Sequence, residues 1–318
     1  MRKVILKASF SVHFILAALC FPGGSTTAHA EEAPLHNQPF SFFGVGNEFI
    51  SYHEQINSAS KLKVSFNNPV QRSGGYIPLF QNHGLYMLSS STLKSTTSGE
   101  KWNVDGIGTI QENDSKISWN ELTLAVAHHF KPGHQVTFGA DYYTMKFTRF
   151  NFRSGDGTDT YNTTVNHQPT YDQWTANPAT KDKIYPGLRP ENNLTTVIED
   201  FSCLTAMVGY RYDTFFVQSE SPWRLAVGVR AGLPLYYQVE NSQLPNDTFI
   251  GSVNKGYDFG ADAELGWKYS KHFSAVVRAD YNYKFRNALI EVHPVLTSMI
   301  PENTVNSLQS TVALLWAF

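Results

Sequence analysis

Seven charged side chains recur at alternate positions in three C-terminal segments: Arg224 and Arg230, then Asp258, Asp262 and Glu264, then Arg278 and Asp280. Charges spaced in this way share one face of an extended strand. Such a face forms either a charged belt that filters solutes in a wet lumen or a ladder of ion pairs that plugs a narrow one. The short connection Ser270 to His272 sets residues equidistant from Lys271 opposite each other in a hairpin. Glu264 then meets Arg278, Asp258 meets Lys284, and the like charges Asp262 and Asp280 meet. Arg211, Arg224, Arg230, Lys268, Arg278, Lys284 and Arg286 nearly balance Asp213, Glu240, Asp258, Asp262, Glu264 and Asp280. That balance argues against strong selectivity for either sign of ion.

Hydrolysis would need an acid, a base or a nucleophile brought together. The sequence offers Glu291-Val292-His293, in which His293 would activate water and Glu291 orient it, and Asp156 with Asp159; both lie between the alternating segments. With 11 His and 27 acidic residues such pairs arise by chance, so no catalytic residue is assigned. His36, His53, His83, His134, His167 and His272 are scattered, and no metal site is expected. Gly74-Gly75 lacks the Lys and the helix of a phosphate loop, so no cofactor is expected either.

The elements that must position the charges are strands. Trp223, Leu225, Val227, Val229, Ala231, Leu233, Leu235, Tyr237 and Val239 occupy one face of a single segment; Arg224, Ala226, Gly228, Arg230, Gly232, Tyr236, Gln238 and Glu240 occupy the other. The scheme repeats from Tyr257 to Tyr269 and from Phe273 to Phe285. These runs far exceed the roughly 5–6 residues of an ordinary strand. Aromatics stand near the ends of the apolar faces with aliphatics between, the order expected where rings meet two membrane interfaces. Glycine and charges of both signs on the other face suit a wet lumen better than a dry core. Alternation also reconciles 42% hydrophobic residues with a mean hydropathy of -0.29. The charged fraction of 16% falls below the roughly 25% of soluble domains. A net charge of -2 without a basic tract excludes a nucleic-acid partner.

Leu308, Ser310, Val312, Leu314, Trp316 and the terminal Phe318 alternate in the last segment. Here the sequence resembles Gram-negative outer-membrane β-barrels, whose last strand ends in such a pattern and is read by the barrel assembly machinery. The resemblance covers most of the chain without resolving one family. It implies an all-β, transmembrane, antiparallel up-and-down barrel in the bacterial outer membrane, in contact with lipid and lipopolysaccharide. Trp223, Tyr257, Trp267, Tyr269, Tyr283, Trp316 and Phe318 would be its membrane-interface aromatics. His128-His129, without a local Ser partner, would join that girdle at the periplasmic end of a strand. Omptins, barrel proteases with Asp-x-Asp and Asp-x-His pairs on the rim, are matched incompletely: Asp156 and Asp159 are one residue too far apart, and Glu291 replaces Asp.

Strands are expected at 306–318, 273–287, 256–269, 223–240, 202–213, 135–150, 117–130, 100–112 and 84–97, with weaker ones at 41–52, 61–66 and 75–80. Both termini on the periplasmic side require an even total, taken as 12, with 10 and 14 as alternatives. Tight turns at 131–134 and 270–272 contrast with long extracellular connectors near 151–201, 241–255 and 288–305; 112–116 is a short outer exception.

Arg2, Lys3 and Lys7 precede the apolar run Val12 to Phe21, and Ala28-His29-Ala30 closes a signal peptide over 1–30. The run is too short for a membrane helix, and Leu19 before Cys20 departs from a lipobox. Residues 31–39 read as a periplasmic lead and 40–318 as the barrel. Cleavage leaves 25 - 3 = 22 basic against 27 acidic residues, a charge of -5, and Cys203 as the remaining cysteine. The leading expectation is a porin-like channel for small hydrophilic solutes lined by Arg224, Arg230, Asp258, Asp262, Glu264, Arg278 and Asp280. The alternatives are a closed structural or adhesive barrel acting through its loops, and an omptin-like rim hydrolase.

Overall fold

Period-two alternation over long runs yields long strands in the computed structural model, which describes residues 38–55, 60–217, 221–245, 247–253, 255–292 and 297–318. The expected signal peptide, the lead through residue 37 and His293 lie outside the described residues. The strands are β1 (Phe40–Gln55), β2 (Ser60–Phe80), β3 (His83–Thr92), β4 (Thr97–Val104), β5 (Gly108–Lys131), β6 (His134–Ser154), β7 (Thr196–Asp213), β8 (Trp223–Asn241), β9 (Thr248–Gly251), β10 (Gly256–Lys268), β11 (Phe273–Arg286), β12 (Leu289–Val292), β13 (Thr297–Ile300) and β14 (Glu302–Ala317). Three short helices, α1 (Thr158–Thr164), α2 (Tyr171–Ala176) and α3 (Pro190–Asn193), lie between β6 and β7.

Among the described residues, 12 segments form one antiparallel sheet that β1 closes by pairing with both β14 and β2. β3 and β4 lie end to end between β2 and β5, and β9 only extends the edge of β8. Ten staves therefore carry the circle. Following the register from Phe40 through Tyr76, Tyr86, Ala125, Gly139, Met207, Gly232, Asp258, Lys284 and Val305 returns to Tyr52, 52 - 40 = 12 residues along β1. Ten staves staggered by 12 lean about 40° from the axis and enclose a backbone cylinder of roughly 10 Å radius. Long side chains from separate walls can meet across such a space.

The 12 segments match the expected number but divide the chain differently. The two stretches 61–66 and 75–80 are one strand, β2, running through Gly74-Gly75. The expected turn at 112–116 is mid-strand in β5; the chain turns instead at Asp105 to Ile107, where Gly106 and Gly108 take positive φ of 79° and 109°. The stave made of β3 and β4 is interrupted at Leu93 to Thr96. Asn68 patches the gap: its Oδ1 accepts from Thr96 N at 2.8 Å and Thr96 Oγ1 at 2.9 Å, and its Nδ2 donates to the Ile117 carbonyl at 2.9 Å.

The expected inside-outside assignment of β8 fails past Pro234. A register shift sets Leu204 opposite Tyr236 but Thr205 opposite Pro234, so Leu235 is an extra residue. The bulge reverses every later side chain. Tyr237 and Val239, expected on the outer face, are buried inside; Tyr236 and Glu240, expected inside, are exposed.

Two apolar clusters fill the interior near its ends. Phe40, Phe42, Tyr76, Tyr86, Phe215, Phe216 and Leu315 pack at the periplasmic end. Ile50, Tyr52, Val64, Phe66, Trp119, Phe147, Phe201 and Tyr237 are among those packed toward the extracellular end.

Candidate functional site

Inward positions between these clusters carry the charges. The hairpin of β10 and β11 has the expected register: Glu264 opposite Arg278, Asp258 opposite Lys284, and Asp262 opposite Asp280. The like pair is resolved by arginines from other staves. Arg72 on β2 reaches Asp280 at 2.5 Å, Arg278 holds Asp280 at 2.8 Å, and Arg211 holds Asp262. Arg224 joins Asp213 at 2.8 Å and Glu264 at 3.0 Å, and Glu264 also faces Arg211 at 3.4 Å and Arg278 at 3.5 Å. Four arginines and four carboxylates thus form one connected network with no net charge. A cavity of about 70 Å³ lies between this network and the periplasmic aromatics, room for a few waters.

A second group lies above it. Lys284 reaches Glu121 across the barrel at 3.0 Å, and Arg286 holds Asp258 at 2.5 Å, where Thr205 also donates at 2.9 Å. Arg230 donates to Asn282. A third group, farther toward the extracellular end, is unbalanced. Arg149 on β6 gathers Glu54 of β1 at 2.5 Å, Glu199 of β7 at 2.6 Å and Glu100 of β4 at 2.8 Å, all buried. Its guanidinium also stacks 4.3 Å from the Phe147 ring centroid.

All seven charged residues singled out in the sequence point inward and lie in the first two groups. Arg72, Glu121 and the whole Arg149 group were missed. Above the membrane belt β1, β2 and β4 face water on their outer side, so the polar-in rule no longer marks their inward residues. Glu54 and Glu100 then sit among apolar inward neighbours and read as ordinary strand charges, while Arg72 lies lower, between the outward Gln71 and Ser73, whose polarity hides the alternation there.

Of the candidate rim residues, Asp156, Asp159 and Glu291 are described. Asp156 accepts the Thr109 N–H at 3.0 Å and fixes the turn after β6, while Glu291 sits exposed on β12 opposite Ser298. Among the described residues no hydrogen bond or ion pair joins Asp156, Asp159 and Glu291. His128 and His129 part company. His128 faces outward at 3.0 Å from His83, whereas His129 is buried inside, 2.8 Å from the Tyr76 hydroxyl, which corrects the expected girdle placement of His129 alone.

The aromatics Trp223, Tyr257, Trp267, Tyr269 and Phe318 are exposed, with Tyr283 and Trp316 half-buried on the same outer surface. Trp223 and Trp267 meet edge to face at 4.7 Å, and Tyr257 stacks on Tyr283 at 5.9 Å.

The connector between β6 and β7 is ordered by its own contacts. A Thr170 capping box with Gln173 opens α2, Asn162 exchanges two bonds with Leu188, and the Tyr185 hydroxyl donates to the Pro169 carbonyl at 2.6 Å. Partial burial pushes the Tyr185 hydroxyl pKa up. Arg189 lies 4.1 Å over Tyr171. Tyr171, Trp174, Lys181, Lys183, Tyr185 and Arg189 line a hollow of about 380 Å³ beside Ile184, which is 89% exposed.

No protein-family model matches the sequence, and no curated protein matches it. Solved structures do. The outer membrane protease OmpT from Escherichia coli superposes with a TM-score of 0.58 at 10% identity, over 91% of this chain and 99% of that one. The translocator domain of the autotransporter NalP from Neisseria meningitidis gives 0.40 at 9% identity, over 89% and 90%. The transport unit of the autotransporter AIDA-I from Escherichia coli gives 0.40 at 11%, over 92% and 93%. At these identities the likeness is one of fold, and the fold is that of the Gram-negative outer-membrane barrel.

Proposed function

We propose that this outer-membrane β-barrel is closed to solutes and acts at the cell surface, through the ordered connector between β6 and β7, as a structural or adhesive protein. The observation that carries the reading is the succession of two cross-barrel charge groups between two apolar clusters, with the Arg149 group on the extracellular side of the second cluster. Charges lining an open pore would be solvated; here Arg224, Glu264, Arg278 and Asp280 are each at most 6% exposed and spend their charge on one another. The porin-like reading therefore gives way to the closed one. An exposed Ile184 beside Trp174, two lysines and an arginine offers a mixed apolar and cationic contact, suited to an acidic protein or glycan surface.

The girdle aromatics would hold the barrel in lipid and lipopolysaccharide, and Phe318 would serve the assembly machinery. The test is single-protein recording in planar bilayers beside binding of cells or matrix to the purified barrel. Absence of step-like conductance, with binding lost on replacing residues 171–189 by a short linker, is expected. Solute-sized conductance steps from heat-modifiable, folded protein would overturn the closed reading.

A further inference from the structure

The hollow on the connector between β6 and β7 is built from one stretch of chain: α2, the turns that follow it as far as Tyr185, and α3 with the arginine before it. Its lining carries three cations, Lys181, Lys183 and Arg189, and no carboxylate. Arg189 is partly neutralised, its Nε lying 2.8 Å from Glu191, which in turn accepts from Ser154 Oγ at 2.9 Å. Lys181 and Lys183 make no ion pair among the described residues. A concave surface with an unbalanced positive charge concentrates anions.

The aromatic part of the lining is fixed in advance. Trp174 Nε1 donates to the Lys183 carbonyl at 3.3 Å, and Thr180 Oγ1 donates to the Trp174 carbonyl at 2.7 Å. Tyr185 meets Tyr171 edge to face at 5.3 Å and Trp174 at 5.8 Å. Trp174 and Tyr185 thus spend their polar atoms inside the connector, and what they offer a ligand is ring surface, already ordered and cheap in entropy to use. Asn192 and Asn193 stand exposed at the side of the hollow with no side-chain hydrogen bond among the described residues. Each amide can donate and accept.

We propose that this hollow binds an anionic sugar residue, carboxylated or sulfated, of a cell-surface glycan. This names a partner class for the adhesive reading above and rests on it. A pyranose ring has a face of C–H groups and a rim of hydroxyls, so it matches ring surface flanked by amides; its acid group answers the two free lysines. The volume of about 380 Å³ stands near the small end of the roughly 300–1,000 Å³ of small-ligand sites. An acidic peptide is the competing occupant. Extended peptides are commonly held by adding a strand to a sheet edge, and none of the lining residues lies in a strand.

The experiment titrates the purified full chain in nanodiscs calorimetrically with lactose, sialyllactose, sulfated lactose and a hexaglutamate peptide. Sialyllactose, sulfated lactose or both should bind about tenfold or more tightly than lactose, with an affinity that falls as salt is added. Lys181→Gln with Lys183→Gln, two exposed positions whose change leaves the heat-dependent gel shift intact, should abolish that preference. Trp174→Leu should weaken every sugar, with limited proteolysis confirming that the connector is still ordered. Equal binding of lactose, hexaglutamate binding as tightly as the acidic sugars, an undiminished affinity in the lysine variant, or no sugar binding at all would each overturn the proposal. Cell binding that is lost on replacing residues 171–189 while no sugar binds would leave the adhesive reading standing without this site; sugar binding without cell binding would do the reverse.

Discussion

Glu264→Gln removes one charge and almost no volume from the central network. Among the described residues Glu264 is the one carboxylate of that network facing three arginines, Arg224 at 3.0 Å, Arg211 at 3.4 Å and Arg278 at 3.5 Å. The variant leaves four arginines against Asp213, Asp262 and Asp280. The group is 6% exposed, so solvent does little to soften the imbalance. Breaking a buried pair by removing one partner costs about 3–5 kcal/mol. With a guanidinium slope of roughly 4 kcal/mol per molar, that predicts a midpoint lowered by about 1 M. The measurement is reversible unfolding in detergent micelles, followed by tryptophan fluorescence and by the heat-dependent gel shift. Bilayer recordings of the same preparation should stay silent, because the periplasmic aromatics and the extracellular cluster remain in series with the altered layer. An unchanged midpoint would refute the claim that the network is buried and cooperative. An unchanged midpoint with altered ion selectivity would restore the open pore.

Arg149→Met should be costlier still, by at least about 3–5 kcal/mol in the same unfolding assay, because three buried carboxylates lose their common cation; adding Glu54→Gln and Glu199→Gln should recover part of the loss, and no recovery would contradict the charge argument. Asn68→Ala should cost about 1–3 kcal/mol by exposing the break between β3 and β4, with faster proteolysis near Leu93 as the local readout. Deleting Phe318 should lower outer-membrane yield, measured by surface labelling, and a normal yield would count against its role in assembly. Peptide cleavage that disappears in His293→Ala would contradict the proposed structural or adhesive role.

The strand hairpin from Gly256 to Arg286 was legible residue by residue, because one short turn fixes its register and the belt makes every outward residue apolar. The same rule located the last strand and the outward aromatics. It failed at three kinds of place, each for a physical reason. Where strands rise beyond the belt, as at Glu54 and Glu100, both environments are permissive outside and the alternation loses its meaning. At Leu235 one extra residue reverses the faces of the rest of β8, and a local pattern carries no mark of it. Most of all, the sequence determined which charges point inward but not what they meet there. Arg72 and Asp280 are 208 residues apart, and only the closure of ten staves at a stagger of 12 brings them to 2.5 Å. Whether inward charges line water or bind one another depends on the barrel's radius, and the radius belongs to the closed sheet rather than to any one strand.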